Sequence, residues 1–202
     1  MFTLENPLFF RNPAYPTNTK FPFPDLPGAR KEINNAIPYA RNYKLFEGKA
    51  AIKDSILRYL GGADLVYLTT HGIPGAISLM DKSFLVLSGS DPFLTTRDIM
   101  KARKDDNKFA EMVILLACQT GQGNTMEAGV AGMARSLMLA GYNHVFMSLW
   151  NADDVATVYL MNRFLFHLQK TFRFIPSQFY NRQYRVPGKN LPNLPNGLGF
   201  LY

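Results

Sequence analysis

Three short and almost wholly apolar runs, Leu65-Val66-Tyr67-Leu68-Thr69, Met112-Val113-Ile114-Leu115-Leu116-Ala117 and His144-Val145-Phe146-Met147-Ser148, are spaced along the chain with helix-period segments between them. That alternation leaves few architectures open. A strand without polar alternation has to be buried on both faces, which calls for helices above and below a mainly parallel sheet joined by right-handed crossovers. The fold class expected is therefore α/β. Helical spacing predicts helices over Ala29 to Ala40, Ala50 to Leu60, from Thr95-Thr96 onward, Gly129 to Ala140 and Val155 to Gln169. Gly61-Gly62 and Gly141 supply stop signals, and Asp98 lies in a first turn. Tyr43 to Phe46 reads as a further strand and Phe84-Leu85-Val86-Leu87 as part of a hairpin.

The ends of the apolar runs carry the chemistry. Thr70-His71-Gly72 follows the first run, the only cysteine, Cys118, ends the second ahead of Gln119-Thr120-Gly121, and Trp150-Asn151-Ala152-Asp153-Asp154 follows the third. In an open parallel sheet the reactive crevice lies beyond the carboxyl ends of the strands, so all three sets belong to one rim. A free thiol with a pKa near ~8.5 is mostly protonated at neutral pH and needs a base to become a nucleophile. His71 is the base expected for Cys118. The same imidazole would protonate a leaving amine, and the backbone N–H groups of Gly72 and Cys118 would hold an oxyanion. The alternative is that Cys118 is a small buried hydrophobe ending a core strand and His71 a structural histidine. Asp153 is expected to accept an arginine or lysine side chain of a substrate beside Trp150, and Asp154 to cap the following helix.

Composition removes other classes. With 47% hydrophobic and 18% charged residues the chain is an ordinary globular one, and no window approaches the roughly 18 apolar residues of a membrane span. The start, Met1-Phe2-Thr3-Leu4-Glu5-Asn6-Pro7, has neither a basic nor an uninterrupted apolar stretch of the kind a secretory signal needs. One cysteine and nine methionines suit a reducing interior, which predicts a cytoplasmic protein. The net charge of +7 is mostly C-terminal, in Arg163, Lys170, Arg173, Arg182, Arg185 and Lys189, with no acid after Asp154. Phe172, Phe174, Phe179, Tyr180 and Tyr184 interleave with these bases, yet no recognition motif accompanies them; a solvated or partner-covered tail is expected rather than direct nucleic-acid binding. His71, His144 and His167 are dispersed, so no metal and no other cofactor is expected. Gly121-Gln122-Gly123-Asn124 lacks the Gly-Lys-Ser/Thr ending of a phosphate loop, which makes nucleotide binding the weakest reading.

Domain organisation follows from composition shifts. Residues 1–25, with Pro7, Pro13, Pro16, Pro22 and Pro24 among aromatics, read as an extended arm or docking strap. Residues 26–172 form the domain, and residues 173–202 a basic tail rich in Pro and Asn.

Six segments in order resemble a known family: Leu26-Pro27-Gly28-Ala29-Arg30-Lys31-Glu32, Thr70-His71-Gly72, Leu94-Thr95-Thr96-Arg97-Asp98-Ile99, Leu116-Ala117-Cys118-Gln119-Thr120-Gly121, Glu127 to Arg135, and Ser148 to Asp154. Together they resemble the CHAT domain, a caspase-like family. The resemblance implies a caspase-like three-layer α/β/α fold and a His71/Cys118 dyad. It further implies a cysteine endopeptidase that cleaves a protein or peptide substrate after a chosen side chain, with the separase-like loop from Trp150 to Asp154 pointing to basic residues. Such an enzyme would have to be held in check, by a regulatory protein partner, by the N-terminal arm or by self-cleavage at an exposed basic site. Family members usually close with another helix and a Trp-containing apolar strand, whereas this chain runs into Asn190-Leu191-Pro192-Asn193. A catalytically silent interaction module of the same fold is the competing expectation.

Overall fold

The computed structural model describes residues 4–17, 23–73, 84–102, 112–116, 137–139, 141–147 and 154–170. Five strands build one all-parallel sheet: β1 (Leu8–Pro13), β2 (Lys44–Gly48), β3 (Leu65–Thr69), β7 (Met112–Leu116) and β8 (His144–Met147), in the spatial order β2-β1-β3-β7-β8. The three apolar runs are thus adjacent strands. Residue by residue, Leu65 pairs with Met112 and Thr69 with Leu116, while Met112 pairs with His144. Every residue of β3 and β7 is buried, as their unbroken apolar pattern requires.

Helices α1 (Pro27–Ala36), α2 (Lys53–Tyr59), α3 (Thr96–Ala102) and α4 (Asp154–Lys170) cover the sheet. Alternate residues of each strand serve different layers. Phe9, Leu65, Tyr67, Ile114 and Phe146 pack with Ile33 of α1 and Met161, Phe164 and Leu165 of α4. Phe10, Val66, Leu68, Val113 and Val145 pack on the other face with Ile56 of α2 and Ile99 of α3. The result is the expected three-layer α/β/α arrangement. A smaller antiparallel sheet, β4 (Gly72–Ile73), β5 (Phe84–Val86) and β6 (Phe93–Thr95), grows directly out of the end of β3. The predicted stop at Gly141 is present, with φ at +105° and its N–H donating to the Met138 carbonyl at 3.0 Å.

The reading of residues 1–25 as an arm is corrected by β1. Leu8–Pro13 is an inner strand, with Leu8 paired to Lys44 of β2 on one side and to Val66 of β3 on the other. Its prolines mislead because they stand at the margins of the strand, where a missing N–H does not interrupt the ladder. Between them Phe9 and Phe10 are fully buried, one in each layer.

Charged side chains then tie the helices to the strand ends. Arg11, nearly buried, donates to Glu47 from Nε at 3.0 Å and Nη2 at 2.7 Å, and to the Arg30 carbonyl and Asn34 Oδ1 of α1 from Nη1. Arg30 also reaches Glu47. The hydrogen bonds from Arg11 are the main reason that the Glu47 carboxyl is held below the usual carboxylate range. On the opposite face Lys53 bridges Asp91 at 2.8 Å and Asp98 at 3.1 Å.

Two outcomes follow. Phe10→Ala, in a fully buried strand position, is expected to cost about 3–5 kcal/mol in urea denaturation; an unpacked arm would show almost no change. Glu47 titrates lower when folded than when unfolded, so its stabilisation is present above the unfolded carboxylate pKa of roughly 4.3 and is lost as pH falls through the lowered folded value. The Tm gap between the native chain and Glu47→Gln should therefore be widest near neutral pH and close in acid.

Candidate active site

Among the five parallel strands, chain order runs outward from β1 to β2 on one side and from β3 through β7 to β8 on the other. The reversal falls between β1 and β3. Chains leaving those two strands part in opposite directions, which opens a crevice at their carboxyl ends. Ala14-Tyr15 leaves β1 there and Thr70-His71 leaves β3.

His71 is 2% exposed. Its Nε2 lies 2.7 Å from the Pro24 carbonyl oxygen, and its ring packs against Tyr15 at 4.7 Å and Phe23 at 5.6 Å between centroids. A carbonyl only accepts, so in the neutral ring Nε2 carries the proton and Nδ1 the lone pair. Nδ1 is buried and has no hydrogen-bond partner among the described residues. A buried nitrogen without such a partner is uncommon in a folded protein.

The main chain around His71 is also clamped. Val86 N–H donates to the His71 carbonyl at 2.8 Å, the Thr70 hydroxyl donates to the Val86 carbonyl, and Tyr15 Oη lies 3.5 Å from Thr70 Oγ1. Burial pushes the Tyr15 phenol well above its ordinary range, although the Thr70 hydroxyl and the His71 backbone N–H pull the other way. The phenol therefore stays neutral. Gly72 pairs with Leu85 of β5, and the ladder bond from Val86 to His71 flanks that pair. In an antiparallel ladder this makes Gly72 and Leu85 a non-hydrogen-bonded pair, so the Gly72 N–H takes no part in it.

The structure thus places His71 and Gly72 at the expected rim. Cys118, Trp150 and Asp153 lie outside the described residues, as do Glu127, Arg135 and the loop from Gly121 to Asn124. Asp154 is the first residue of α4. The β3–β7 register gives the relevant spacing, since His71 follows Thr69 in sequence by the same interval as Cys118 follows its partner Leu116. Sequence reasoning missed Tyr15, Phe23 and the Pro24 carbonyl. The only signal for them was the aromatic and proline content of the first residues, which says nothing about where that segment lies. Among the described residues no group of His, Cys, Asp or Glu side chains is arranged to hold a metal ion, and no helix is long and apolar enough to cross a membrane.

The CHAT domain family model matches residues 2–178. No curated protein matches the chain. Among solved structures it is similar to a flavodoxin from Streptococcus pneumonia TIGR4, at TM-score 0.44 and 10% identity, covering 81% of this chain and 99% of that one. It is also similar to a protein from Geobacter sulfurreducens, at TM-score 0.41 and 14% identity, covering 85% of this chain and 67% of that one. The fold assignment stands on the strand order itself.

Because its ring is covered by Tyr15 and Phe23, His71 should react slowly with diethyl pyrocarbonate compared with half-buried His144. Tyr15→Ala should raise the rate at His71 selectively, as read by peptide mass mapping.

Proposed function

The chain belongs to the CHAT domain family, which is linked to caspase-like cysteine peptidases, and on that premise we propose that it is a cysteine endopeptidase working through His71 and Cys118. The observation that carries the reading is the buried Nδ1 of His71, without a hydrogen-bond partner among the described residues, while the Pro24 carbonyl locks the ring from the far side. An acid/base histidine needs this: one nitrogen fixed by an acceptor, the other left with its lone pair for the nucleophile. The β3–β7 ladder, continued past Thr69 and Leu116, would set the thiol beside it.

In this mechanism Nδ1 takes the Cys118 proton, and the thiolate adds to the carbonyl carbon of the scissile peptide. The oxyanion is received by the backbone N–H groups of Gly72 and Cys118. Collapse of the adduct breaks the C–N bond as the imidazolium returns its proton to the leaving amine, leaving a thioester. Water, deprotonated by the same ring, then hydrolyses the thioester and restores the thiol. Trp150, Asp153 and Asp154 would select a basic side chain, with Asp153 pairing its cation and Asp154 heading α4. A regulatory protein partner fits a site whose imidazole is 2% exposed, and the cytoplasm fits the single cysteine. The same burial supports a second reading, a catalytically silent interaction module.

Peptidyl ketone probes with Arg or Lys next to the warhead are expected to label Cys118, and His71→Ala to slow labelling roughly 10²- to 10⁴-fold. Asp153→Asn should erase the preference over Asp or Leu probes. If every probe fails while a small alkylator reaches the thiol equally with and without His71, the silent module is the correct reading.

A further inference from the structure

Asn12 stands where β1 loses its register, between Arg11 and Pro13. Its φ of +39° lies in the left-handed region, which asparagine tolerates better than most side chains. From there its Oδ1 accepts the backbone N–H of Leu26 at 2.9 Å, the residue that precedes α1. Pro24, whose carbonyl accepts the hydrogen bond from His71 Nε2–H, lies just upstream. Peptide units are planar, so the plane holding the Leu26 N–H and the plane holding the Pro24 carbonyl are separated only by the two backbone dihedrals of Asp25. Fixing the first limits the second to the positions those two dihedrals allow. The adjacent residue fixes the helix itself, since Arg11 Nη1 donates to the Arg30 carbonyl at 3.0 Å and to Asn34 Oδ1 at 2.6 Å.

We infer that Asn12 is a positioning residue for His71: by holding Leu26 it sets the Pro24 carbonyl on Nε2, and through it the tautomer and aim of the ring. The inference rests on the reading of His71 as the acid/base group, and it gives the break in β1 a purpose. Only a side chain that accepts a hydrogen bond and tolerates positive φ serves at this position. Asp meets both conditions. Gly meets the second alone, so Asn12→Gly removes the acceptor without straining the backbone.

The test uses the full chain with nitrogen-15 histidine. In the native protein the His71 Nε2–H should appear as an exchange-protected, downfield proton, and the Leu26 amide should be protected from hydrogen exchange. Asn12→Gly should abolish the protected Nε2–H and mix the tautomers, and Asn12→Asp should restore the native pattern. The His71-dependent part of Cys118 alkylation should fall roughly 10- to 100-fold in Asn12→Gly and recover in Asn12→Asp. An unchanged Nε2–H signal in Asn12→Gly would overturn the inference, as would an unprotected Leu26 amide in the native chain, a result that needs no variant to fold. His71→Ala separates the two ideas. Alkylation indifferent to His71 removes the dyad but leaves the nitrogen spectra to decide on Asn12.

Discussion

β3 is the constraint on which the rest of the molecule depends. It is buried along its whole length, hydrogen-bonded to β1 on one side and β7 on the other, and packed on both faces. Backbone groups so placed have no water to turn to, so both neighbours must be in register before the strand can be buried at all. The covering helices are consequences of the same demand, because Tyr67 and Leu65 need the α1 and α4 layer while Val66 and Leu68 need the α2 and α3 layer.

From β3 the geometry of the rim follows. β1 and β3 are spatial neighbours, yet the chain continues from them in opposite directions along the sheet. At the crevice this leaves, Tyr15 just after β1 and Phe23 and Pro24 just before α1 enclose His71 at the end of β3. A histidine at a strand end would ordinarily be wet. Here its environment is aromatic on two sides and hydrogen-bonded on one, which orients the ring and restricts access in a single arrangement.

The charged networks sit at the points where helices meet strand ends. Arg11 and Glu47 join β1 and β2 to α1, and Lys53 joins α2 to the β5–β6 connection through Asp91 and to the first turn of α3 through Asp98. Burial, the largest single influence on Lys53, works against its charge; the bonds to the two aspartates more than compensate and raise it above its usual range. Exposed ion pairs are worth little, but part-buried ones with several donors set direction, and direction is what these helix starts require.

The sequence by itself determined the elements whose burial is symmetric. Leu65–Thr69, Met112–Leu116 and His144–Met147 are legible as neighbouring parallel strands because nothing but a doubly covered sheet accepts so many consecutive apolar residues. It also marked His71 and Gly72 as rim residues, since a strand end is readable from where the apolar run stops. Tertiary structure alone decided the place of Leu8–Pro13, whose short apolar stretch between prolines is equally compatible with a strap and whose inner position depends on partners distant in the chain. It alone decided, too, that the Pro24 carbonyl would accept a hydrogen bond from the imidazole and Asn12 one from the Leu26 amide. A backbone carbonyl is the same at every residue, so its use as an orienting acceptor leaves no trace in side-chain identity and appears only once the chain is folded.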